Sequence, residues 1–263
     1  MSVRRLPTVR SSHAHLVGGK AASLGEMLAA GHPVPPAFVI TADELVLSPA
    51  LSMDILKEYE VLGAQRVAVR SSGVGEDGHG QSWAGQFETK LHVGRDEVLS
   101  AIQSCWDSAQ SARAGAYANE RLKLAVLVQR MVESESSGVA FSVNPITGNT
   151  DEIIIESLFG LGELLVQGAA TPDNFLVGKH TGDIIDEDIA HKPIMLAYHD
   201  NAVREVQVPP ELQYTPSLSH DQVQAVAALA RTVEAYYGYP IDIEWAFEAG
   251  TLYLLQARPI TTL

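Results

Sequence analysis

The chain has 263 residues, enough for one large domain or for one domain of two lobes. Hydrophobic residues make up 46% of it and charged residues 19%, which is typical of a globular protein and excludes a disordered chain. The net charge of −14 argues against a general nucleic-acid or anionic-membrane binder, because such proteins present basic surfaces. With no apolar run long enough to cross a bilayer and no signal peptide, we expect a cytoplasmic protein without nucleic-acid or membrane partners.

Several common catalytic and metal-binding patterns are absent from the sequence. Cys105 is the single cysteine, which excludes an internal disulfide and a cysteine-based zinc site. The nine histidines include no His-Glu-x-x-His pair. There is also no Gly-x-Ser-x-Gly elbow and no kinase His-Arg-Asp loop.

The first informative stretch is a glycine turn that leads into a helix. Gly18 and Gly19 precede Lys20, and apolar residues then recur at helical spacing. Such a turn presents backbone N–H groups to an anion, and a lysine adds positive charge. It is not a Walker A loop, since Ala21 stands where a metal-binding Ser or Thr is needed. A simple capping turn would leave the same pattern.

Two segments of the first half carry further site candidates. A strand over residues 67–70 runs into a loop over residues 71–85 that is rich in glycine and serine and contains Trp83. With Arg70 at the strand end, this loop could hold phosphates, although surface loops share its composition. A second strand, over residues 125–132, could offer backbone groups around Gln129 to an adenine, although apolar strands usually form core.

The remaining elements are predicted from periodicity and turn residues. Amphipathic helices are expected over residues 43–62, 94–122 and 219–237, the last with a capping box from Ser219 to Gln222 and a stop at Gly238. Strands are expected over residues 37–40, 137–145, 151–156, 171–177 and 184–189. A glycine turn over residues 159–163 opens another helix. We expect two lobes, residues 1–124 and 125–263.

The chain is predicted to end in a hairpin over residues 240–259. Ile241, Ile243, Trp245 and Phe247 alternate with polar positions on its first strand. A two-residue loop at Ala249 and Gly250 would place Glu244 opposite Leu255. A three-residue loop instead places Glu244 opposite Gln256, Asp242 opposite Arg258 and Trp245 opposite Leu255, and we predict that loop.

This register gathers a carboxylate, an amide oxygen and a guanidinium on one strand face. Mg²⁺ takes oxygen ligands and keeps phosphate oxygens and waters in its shell, and an arginine fork beside it suits a phosphate. A solvated face with a cross-strand ion pair would give the same pattern. Together with Lys20 and Arg70, however, the set matches the needs of a nucleoside triphosphate with Mg²⁺.

The sequence resembles a known family across nearly its whole length. The motifs are Val17-Gly-Gly-Lys-Ala-Ala-Ser-Leu-Gly, Val69-Arg-Ser-Ser, Trp83-Ala-Gly-Gln-Phe-Glu-Thr, Val128-Gln-Arg-Met-Val, Ser137-Gly-Val-Ala-Phe-Ser-Val-Asn-Pro, Gly160-Leu-Gly-Glu, Thr171-Pro-Asp, Asp242-Ile-Glu-Trp and Leu255-Gln-Ala-Arg-Pro-Ile-Thr-Thr. In this order they are similar to the N-terminal nucleotide-binding domain of phosphoenolpyruvate synthase, pyruvate phosphate dikinase and rifampicin phosphotransferase.

The resemblance implies an α+β ATP-grasp fold with ATP held between two lobes. It implies that Lys20, Arg70 and Arg258 hold phosphates and act in catalysis, with Ser71 beside them. Glu244 and Gln256 would bind Mg²⁺, and the backbone near Gln129, Met131 and Val132 would meet the adenine. Electrostatic stabilisation of the transferred phosphoryl group would be the main catalytic device.

Two departures from the family pattern bear on function. The segment between Pro36 and Arg70 is shorter than usual. The chain also stops at Leu263, where family members continue into a domain with a phosphorylatable histidine and a domain for the second substrate. A relay through an internal phosphohistidine is therefore not expected within this chain.

Three functions follow as alternatives. The first is a kinase that moves a phosphoryl group from ATP to a small-molecule acceptor, and this is the one we favour. The second is a half-enzyme, a split subunit or a fragment, that phosphorylates a histidine on a separate domain and releases AMP and phosphate. The third, a nucleotide-binding module without activity, fits least, because a pure binder would not need the metal pair.

Overall fold

The computed structural model describes residues 2–75, 89–115 and 123–260, with the backbone alone for residues 109–115. The chain forms two compact units, Met1–Met131 and Val132–Leu263. The boundary predicted after residue 124 falls at the first residue of the last strand of the first unit, and that strand pairs on both sides within the first unit's sheet. Among the described residues, no helix combines the length and apolar character that a membrane span requires.

The first unit is a five-stranded antiparallel sheet with helices on both faces. Its elements are β1 (Val3–Arg5), α1 (Ala14–Ala29), β2 (Ala37–Ile40), α2 (Pro49–Leu62), β3 (Val67–Gly73), β4 (Thr89–Val93), α3 (Val98–Gly115) and β5 (Leu124–Arg130). The strand order is β1-β2-β5-β3-β4. One face, bearing Val67, Val69, Val126 and Val128, packs against α2 and α3 in the main apolar core. The other face of β3 and β5 contacts α1.

Helix boundaries in this unit differ from prediction where a cap decides them. α2 begins at Pro49 and not at residue 43, because the Ser48 side chain accepts a hydrogen bond from the Leu51 N–H at 3.1 Å. β5 ends at Arg130, two residues before the predicted end of the strand. Most of the predicted glycine-serine loop, with Trp83, and the predicted end of the helix over residues 94–122 lie outside the described residues.

The second unit is a six-stranded antiparallel sheet with one long helix on one face. Its elements are β6 (Ser136–Phe141), β7 (Glu152–Phe159), α4 (Glu163–Val166), β8 (Asp173–Gly178), β9 (Ile184–Asp188), β10 (Ile194–His199), β11 (Ala202–Gln207), α5 (His220–Tyr237), β12 (Ile241–Glu248) and β13 (Thr251–Pro259). The strand order is β13-β12-β6-β7-β8-β9, and β10 and β11 form a separate hairpin. The α+β class expected from the sequence is confirmed.

The helix α5 covers the apolar face of this sheet. The predicted capping box is present, with Ser219 and Gln222 bonded to each other's backbone, and Gly238 ends the helix at a φ of 75°. Ala140 and Ser142 lie two residues apart and share one face, and the Ser142 hydroxyl donates to Glu234 of α5 at 2.9 Å. This identifies the face that α5 covers. The opposite face carries Glu156, Val139, Asp242, Glu244, Gln256 and Arg258, and we call it the carboxylate face.

Candidate functional site

In the first unit, the predicted glycine turn is a kink inside α1. Gly18 has a φ of 76° and a ψ of 167°, so the helix restarts after it. A Cβ at this position would lie 2.2 Å from the Ser72 carbonyl oxygen, which only a glycine avoids. The Ser72 hydroxyl accepts a hydrogen bond from the Ala21 N–H at 3.1 Å. A side chain of β3 therefore caps the restarted helix, and this fixes the backbone of Lys20.

The kink brings Lys20 to the end of β3. Its Nζ donates to the Ser71 carbonyl oxygen at 3.2 Å. The Ser71 side chain is only 1% exposed and stands on the face of β3 that also bears Val67 and Val69. Ser71 thus contributes its carbonyl to this arrangement, while its hydroxyl lies on the core side. Two residues of the predicted set, Lys20 and Ser71, are in direct contact.

Arg70 and Gln129 stand on the sheet face that contacts α1. Arg70 pairs with Leu127 and Gln129 pairs with Ala68, so both share the face of Ser72. Gln129 is 2% exposed, and its Nε2 has no hydrogen-bond partner among the described residues. A buried amide donor without a partner is costly, so Gln129 Nε2 is a candidate donor to a ligand.

The backbone after β5 is already engaged at the first of the two positions expected to meet an adenine. The Met131 N–H donates to the Arg66 carbonyl at 3.0 Å, and its carbonyl accepts from Arg130 Nη1 at 3.1 Å. Both Met131 and Val132 are buried, at 7% and 3% exposure. Of the three residues expected near the adenine, Gln129 has an unsatisfied side-chain donor, whereas the Met131 backbone groups are already bonded.

In the second unit, the terminal hairpin has two of the three predicted pairs but not the predicted loop. Glu248 pairs with Thr251, so the loop has two residues, Ala249 and Gly250, and both have positive φ, 48° and 74°. The expected three-residue loop is wrong. A bulge on β13 at Leu255 adds the residue that the loop lacks, so Trp245 pairs with Leu254 and not with Leu255.

Beyond the bulge, the register is the one predicted from the polar residues. Glu244 pairs with Gln256 and Asp242 pairs with Arg258. The bulge returns Gln256 and Arg258 to the carboxylate face, where a regular two-residue hairpin would have placed Leu255 opposite Glu244. The oxygen ligands and the guanidinium expected from the sequence therefore share one face.

Asp242 forms a nearly buried ion pair with Arg258. Arg258 Nε donates to Asp242 Oδ2 at 2.8 Å, and the aspartate side chain is 8% exposed. Burial raises the pKa of Asp242 above its usual value, Arg258 partly offsets this, and the neighbouring Glu244 adds to it. The sequence pattern places Asp242 opposite Arg258, but Asp242 is not among the predicted site residues. Its alternation with Glu244 is the sequence signal that points to it.

The pair of Glu244 and Gln256 fits a hard cation that keeps ligands of its own. Glu244 is partly exposed and Gln256 is 9% exposed, and both carry side-chain oxygens. Within the described part of the chain, no three acidic, histidine or cysteine side chains converge into a closed metal site. The carboxylate and amide oxygens of Glu244 and Gln256 are ligands of the kind that Mg²⁺ takes, since Mg²⁺ is usually held by one or two carboxylates together with phosphates and waters.

A buried polar network in the second unit was not predicted from the sequence. Lys192 pairs with Asp173, and their side chains are 1% and 0% exposed. Asp173 Oδ2 also accepts from the Ser217 N–H and hydroxyl, each at 2.7 Å, and Oδ1 accepts from the Ala190 N–H at 2.9 Å. The network joins β8 to the segments before β10 and α5. Only the position of Asp173 in the Thr-Pro-Asp motif gave a signal.

The sequence was compared with protein families to identify the one to which the chain belongs. Residues 44–263 match the family described as pyruvate phosphate dikinase, AMP/ATP-binding domain. The chain belongs to this family. Membership carries the ATP-grasp fold that the motifs implied, and the two-unit α+β architecture described above agrees with it.

Individual relatives extend the match over the first unit. A probable phosphoenolpyruvate synthase of Methanocaldococcus jannaschii is 36% identical over 304 residues, covering 94% of this chain and 26% of the relative. The prodigiosin synthesizing transferase PigC of Serratia marcescens is 39% identical over 282 residues, covering 94% of this chain and 32% of the relative. This member of the dikinase AMP/ATP-binding family thus spans about a quarter to a third of these two relatives.

One solved structure supports the fold alone. PH1788 from Pyrococcus horikoshii Ot3 superposes with a TM-score of 0.50 and 12% sequence identity, covering 95% of this chain and 93% of that one. At this identity the likeness concerns the path of the chain and not its chemistry.

Proposed function

We propose that this chain binds Mg-ATP and transfers a phosphoryl group from it to a small-molecule acceptor. The observation that carries the proposal is the register of the terminal hairpin, which sets Glu244 beside Gln256 and Asp242 beside Arg258 on one face. The family is described as an AMP/ATP-binding domain, and this supports an adenine nucleotide as the ligand.

The first unit supplies positive charge and an adenine contact. Lys20 is held at the end of β3 by its bond to the Ser71 carbonyl, and Arg70 lies one residue earlier on the α1 face. These two cations would bind phosphate oxygens and stabilise the charge that develops during transfer. The buried Gln129 Nε2 would donate to an acceptor nitrogen of the base, since it has no partner among the described residues.

The second unit supplies the metal ligands and a third cation. Glu244 and Gln256 would hold Mg²⁺, which when bound neutralises phosphate charge and orients the terminal phosphoryl group. Asp242 fixes the Arg258 guanidinium through its Nε, and this orients the fork toward phosphate oxygens. Since the guanidinium is already ordered by Asp242, less entropy is lost when it binds phosphate.

The test is Mg²⁺-dependent turnover of ATP in a pooled metabolite extract, followed by phosphorus NMR. ADP together with a new phosphate resonance would support a direct kinase and identify the acceptor. Glu244→Gln should abolish turnover and leave the fold intact by circular dichroism. Full activity in Glu244→Gln would refute the metal role.

A second candidate function rests on the share of each relative that the chain covers. The chain spans 26–44% of the phosphoenolpyruvate synthases of M. jannaschii and Methanothermobacter thermautotrophicus. This favours, as the alternative, an ATP-binding half that phosphorylates a histidine on a separate domain. That half-enzyme would accumulate AMP and phosphate only when the partner domain is added, so the nucleotide product separates the two functions.

A further inference from the structure

The bulge at Leu255 lies directly beside the two residues proposed to hold Mg²⁺. Glu244 pairs with Gln256. The next pair toward the turn is Trp245 with Leu254, and Leu255 is the extra residue between the two pairs. A bulge bends its strand and increases the local twist, which changes the direction of the side chains next to it. The direction of the Gln256 side chain relative to Glu244 therefore depends on where the extra residue lies.

The turn alone does not determine the position of the bulge. A bulge nearer the turn, at Tyr253, would fit the same two-residue loop and would still pair the two proposed metal ligands with each other. It would, however, pair Trp245 with Leu255 and turn Leu254 onto the carboxylate face. Since both arrangements satisfy the loop and the polar pair, another contact must select the observed one.

The polar residues exclude a bulge farther from the turn. A bulge at Ala257 would place Leu255 opposite Glu244 on the carboxylate face and would turn Gln256 toward the apolar face under α5. Burial of an amide among apolar side chains without hydrogen-bond partners costs free energy. This leaves Tyr253 and Leu255 as the two positions between which the fold must choose.

The buried side chain of Trp245 makes this choice. Trp245 and Leu254 are both 0% exposed, whereas Leu255 is partly exposed. The indole lies over Gly138, its pairing partner on β6, where a Cβ would be 2.8 Å from Trp245 Cζ2. Trp245 also packs edge-on against Phe247, with ring centroids 5.8 Å apart. The indole is thereby fixed in place, and burial of the leucine opposite it favours Leu254 at this position.

Packing, and not a hydrogen bond, holds the Trp245 ring in this place. Its Nε1 is buried and has no hydrogen-bond partner among the described residues. Burial of an unpaired donor costs free energy, so the packing of the ring must offset that cost. The shape of the ring in its place over Gly138 is therefore what the hairpin uses at this position.

We propose that Trp245 is a positioning residue for the Mg²⁺ ligands, which acts by fixing the bulge at Leu255 and so directs the Gln256 side chain. This inference rests on the proposed function, because Glu244 and Gln256 are metal ligands only there. The Trp245 side chain lies on the face opposite to these ligands. It keeps Leu254 on the face that α5 covers, which leaves the extra residue immediately before Gln256.

The experiment measures the affinity of the full chain for Mn²⁺ by electron paramagnetic resonance, in the presence of a non-hydrolysable ATP analogue. Deletion of Leu255 removes the bulge and keeps every pair of the hairpin, including Glu244 with Gln256. We expect the deletion to weaken Mn²⁺ binding by at least about tenfold, as the loss of groups that orient metal ligands does. Leu255→Ala keeps the extra residue and should bind Mn²⁺ as the wild type does.

Trp245→Phe tests the residue that places the bulge. A smaller ring weakens the preference for Leu254 over Leu255, so the affinity for Mn²⁺ should fall, by less than in the deletion variant. Trp106→Phe is the matched control, because Trp106 is 1% exposed and its Nε1 also has no hydrogen-bond partner within the described part of the chain. It lies in α3 of the first unit, and Trp106→Phe should lower stability without changing the affinity for Mn²⁺.

Two further measurements separate positioning from general damage to the fold. Nucleotide affinity in EDTA, measured by calorimetry, should equal that of the wild type in every variant, because Lys20, Arg70 and Arg258 are unchanged. Thermal unfolding shows whether each variant folds. If the deletion variant does not fold, the comparison of Trp245→Phe with Trp106→Phe decides.

Each outcome bears on one of the two proposals. Equal affinity for Mn²⁺ in the wild type and the deletion variant would overturn the role of the bulge, and so would an equal loss in Leu255→Ala and the deletion. Equal affinities in Trp245→Phe and Trp106→Phe would overturn the role of Trp245. No Mn²⁺ on the wild-type protein would refute the proposed function itself, and this inference with it.

Discussion

Arg258 Nε donates to Asp242 Oδ2 at 2.8 Å directly across the hairpin, and the aspartate is nearly buried whereas the arginine is 35% exposed. Arg258→Ala leaves that carboxylate without a counter-charge. We therefore expect a loss of about 2–3 kcal/mol in the free energy of unfolding, somewhat below the value for a fully buried pair. Urea unfolding of the two proteins measures it.

A double-mutant cycle separates the ion pair from the loss of arginine packing. Asp242→Asn combined with Arg258→Ala should be less destabilised than the sum of the two single variants, by about 1–2 kcal/mol. The control is Arg95→Ala, which breaks an exposed pair with Glu60 at 2.9 Å and should change the free energy of unfolding much less than Arg258→Ala does. Additive effects at Asp242 and Arg258 would mean that the contact is energetically unimportant.

The second prediction concerns the kink at Gly18. Gly18→Ala combines a φ of 76° with a Cβ that would stand 2.2 Å from the Ser72 carbonyl. Relieving that clash would separate α1 from β3, so we expect a loss of at least about 3 kcal/mol in unfolding free energy and a much weaker affinity for ATP. Equilibrium unfolding and calorimetric nucleotide titration measure the two effects.

Gly63→Ala is the control for Gly18→Ala. Gly63 has a φ of 66° at the end of α2, and no atom lies within 4 Å of a Cβ built on it. It should therefore show only the backbone cost of about 1 kcal/mol, with ATP affinity unchanged. Equal effects at the two glycines would show that the contact with Ser72 is not what requires Gly18.

The buried pair of Lys192 and Asp173 should be among the most sensitive positions of the second unit. Lys192→Met removes the lysine charge and leaves a buried aspartate, with an expected loss of about 3–5 kcal/mol measured by urea unfolding. Adding Asp173→Asn removes the buried charge but replaces one of the two acceptor oxygens, toward the Ala190 N–H or the Ser217 N–H, with an amide donor, so it should restore only part of that loss. A double variant less stable than Lys192→Met would contradict this.

Lys179→Met offers a matched comparison for Lys192→Met. Lys179 pairs with Glu234 at 3.0 Å, but the two side chains are 12% and 20% exposed. Solvent can partly compensate the charge of the remaining glutamate. Lys179→Met should therefore lose clearly less unfolding free energy than Lys192→Met does.

The sequence predicted the strand pairing at the candidate site best where the information was local. The alternation of polar and apolar residues in the last strands was enough to pair Glu244 with Gln256 and Asp242 with Arg258, because burial of one face fixes register. The capping box at Ser219 likewise located the start of α5. In both cases, the structure is determined by residues that are close to one another in the sequence.

The failures arose where the cause lay elsewhere in the chain. The bulge at Leu255 restores a register that the two-residue loop alone would lose, and nothing in the turn residues shows it. The hairpin of β10 and β11 was also missed. The cap of α1 by Ser72 also joins segments far apart in sequence.

His92 gives the last prediction, a pH dependence in the first unit. The side chain is 4% exposed, and burial, with a smaller contribution from the nearby Arg66, lowers the pKa of His92 to about 4 from the usual 6.5. Between these two values the unfolded chain binds a proton that the folded chain does not. Stability should therefore fall as pH drops from about 6.5 toward 4, by up to roughly 3 kcal/mol.

Urea unfolding at several pH values tests this, with His92→Asn as the variant. Asparagine tolerates the φ of 53° at this position and does not titrate, so the fall between pH 6.5 and 4 should shrink even if overall stability is lower. The exposed His180, replaced by asparagine, should leave the wild-type pH profile in place. An unchanged profile in His92→Asn would mean that protonation of other groups drives the acid sensitivity.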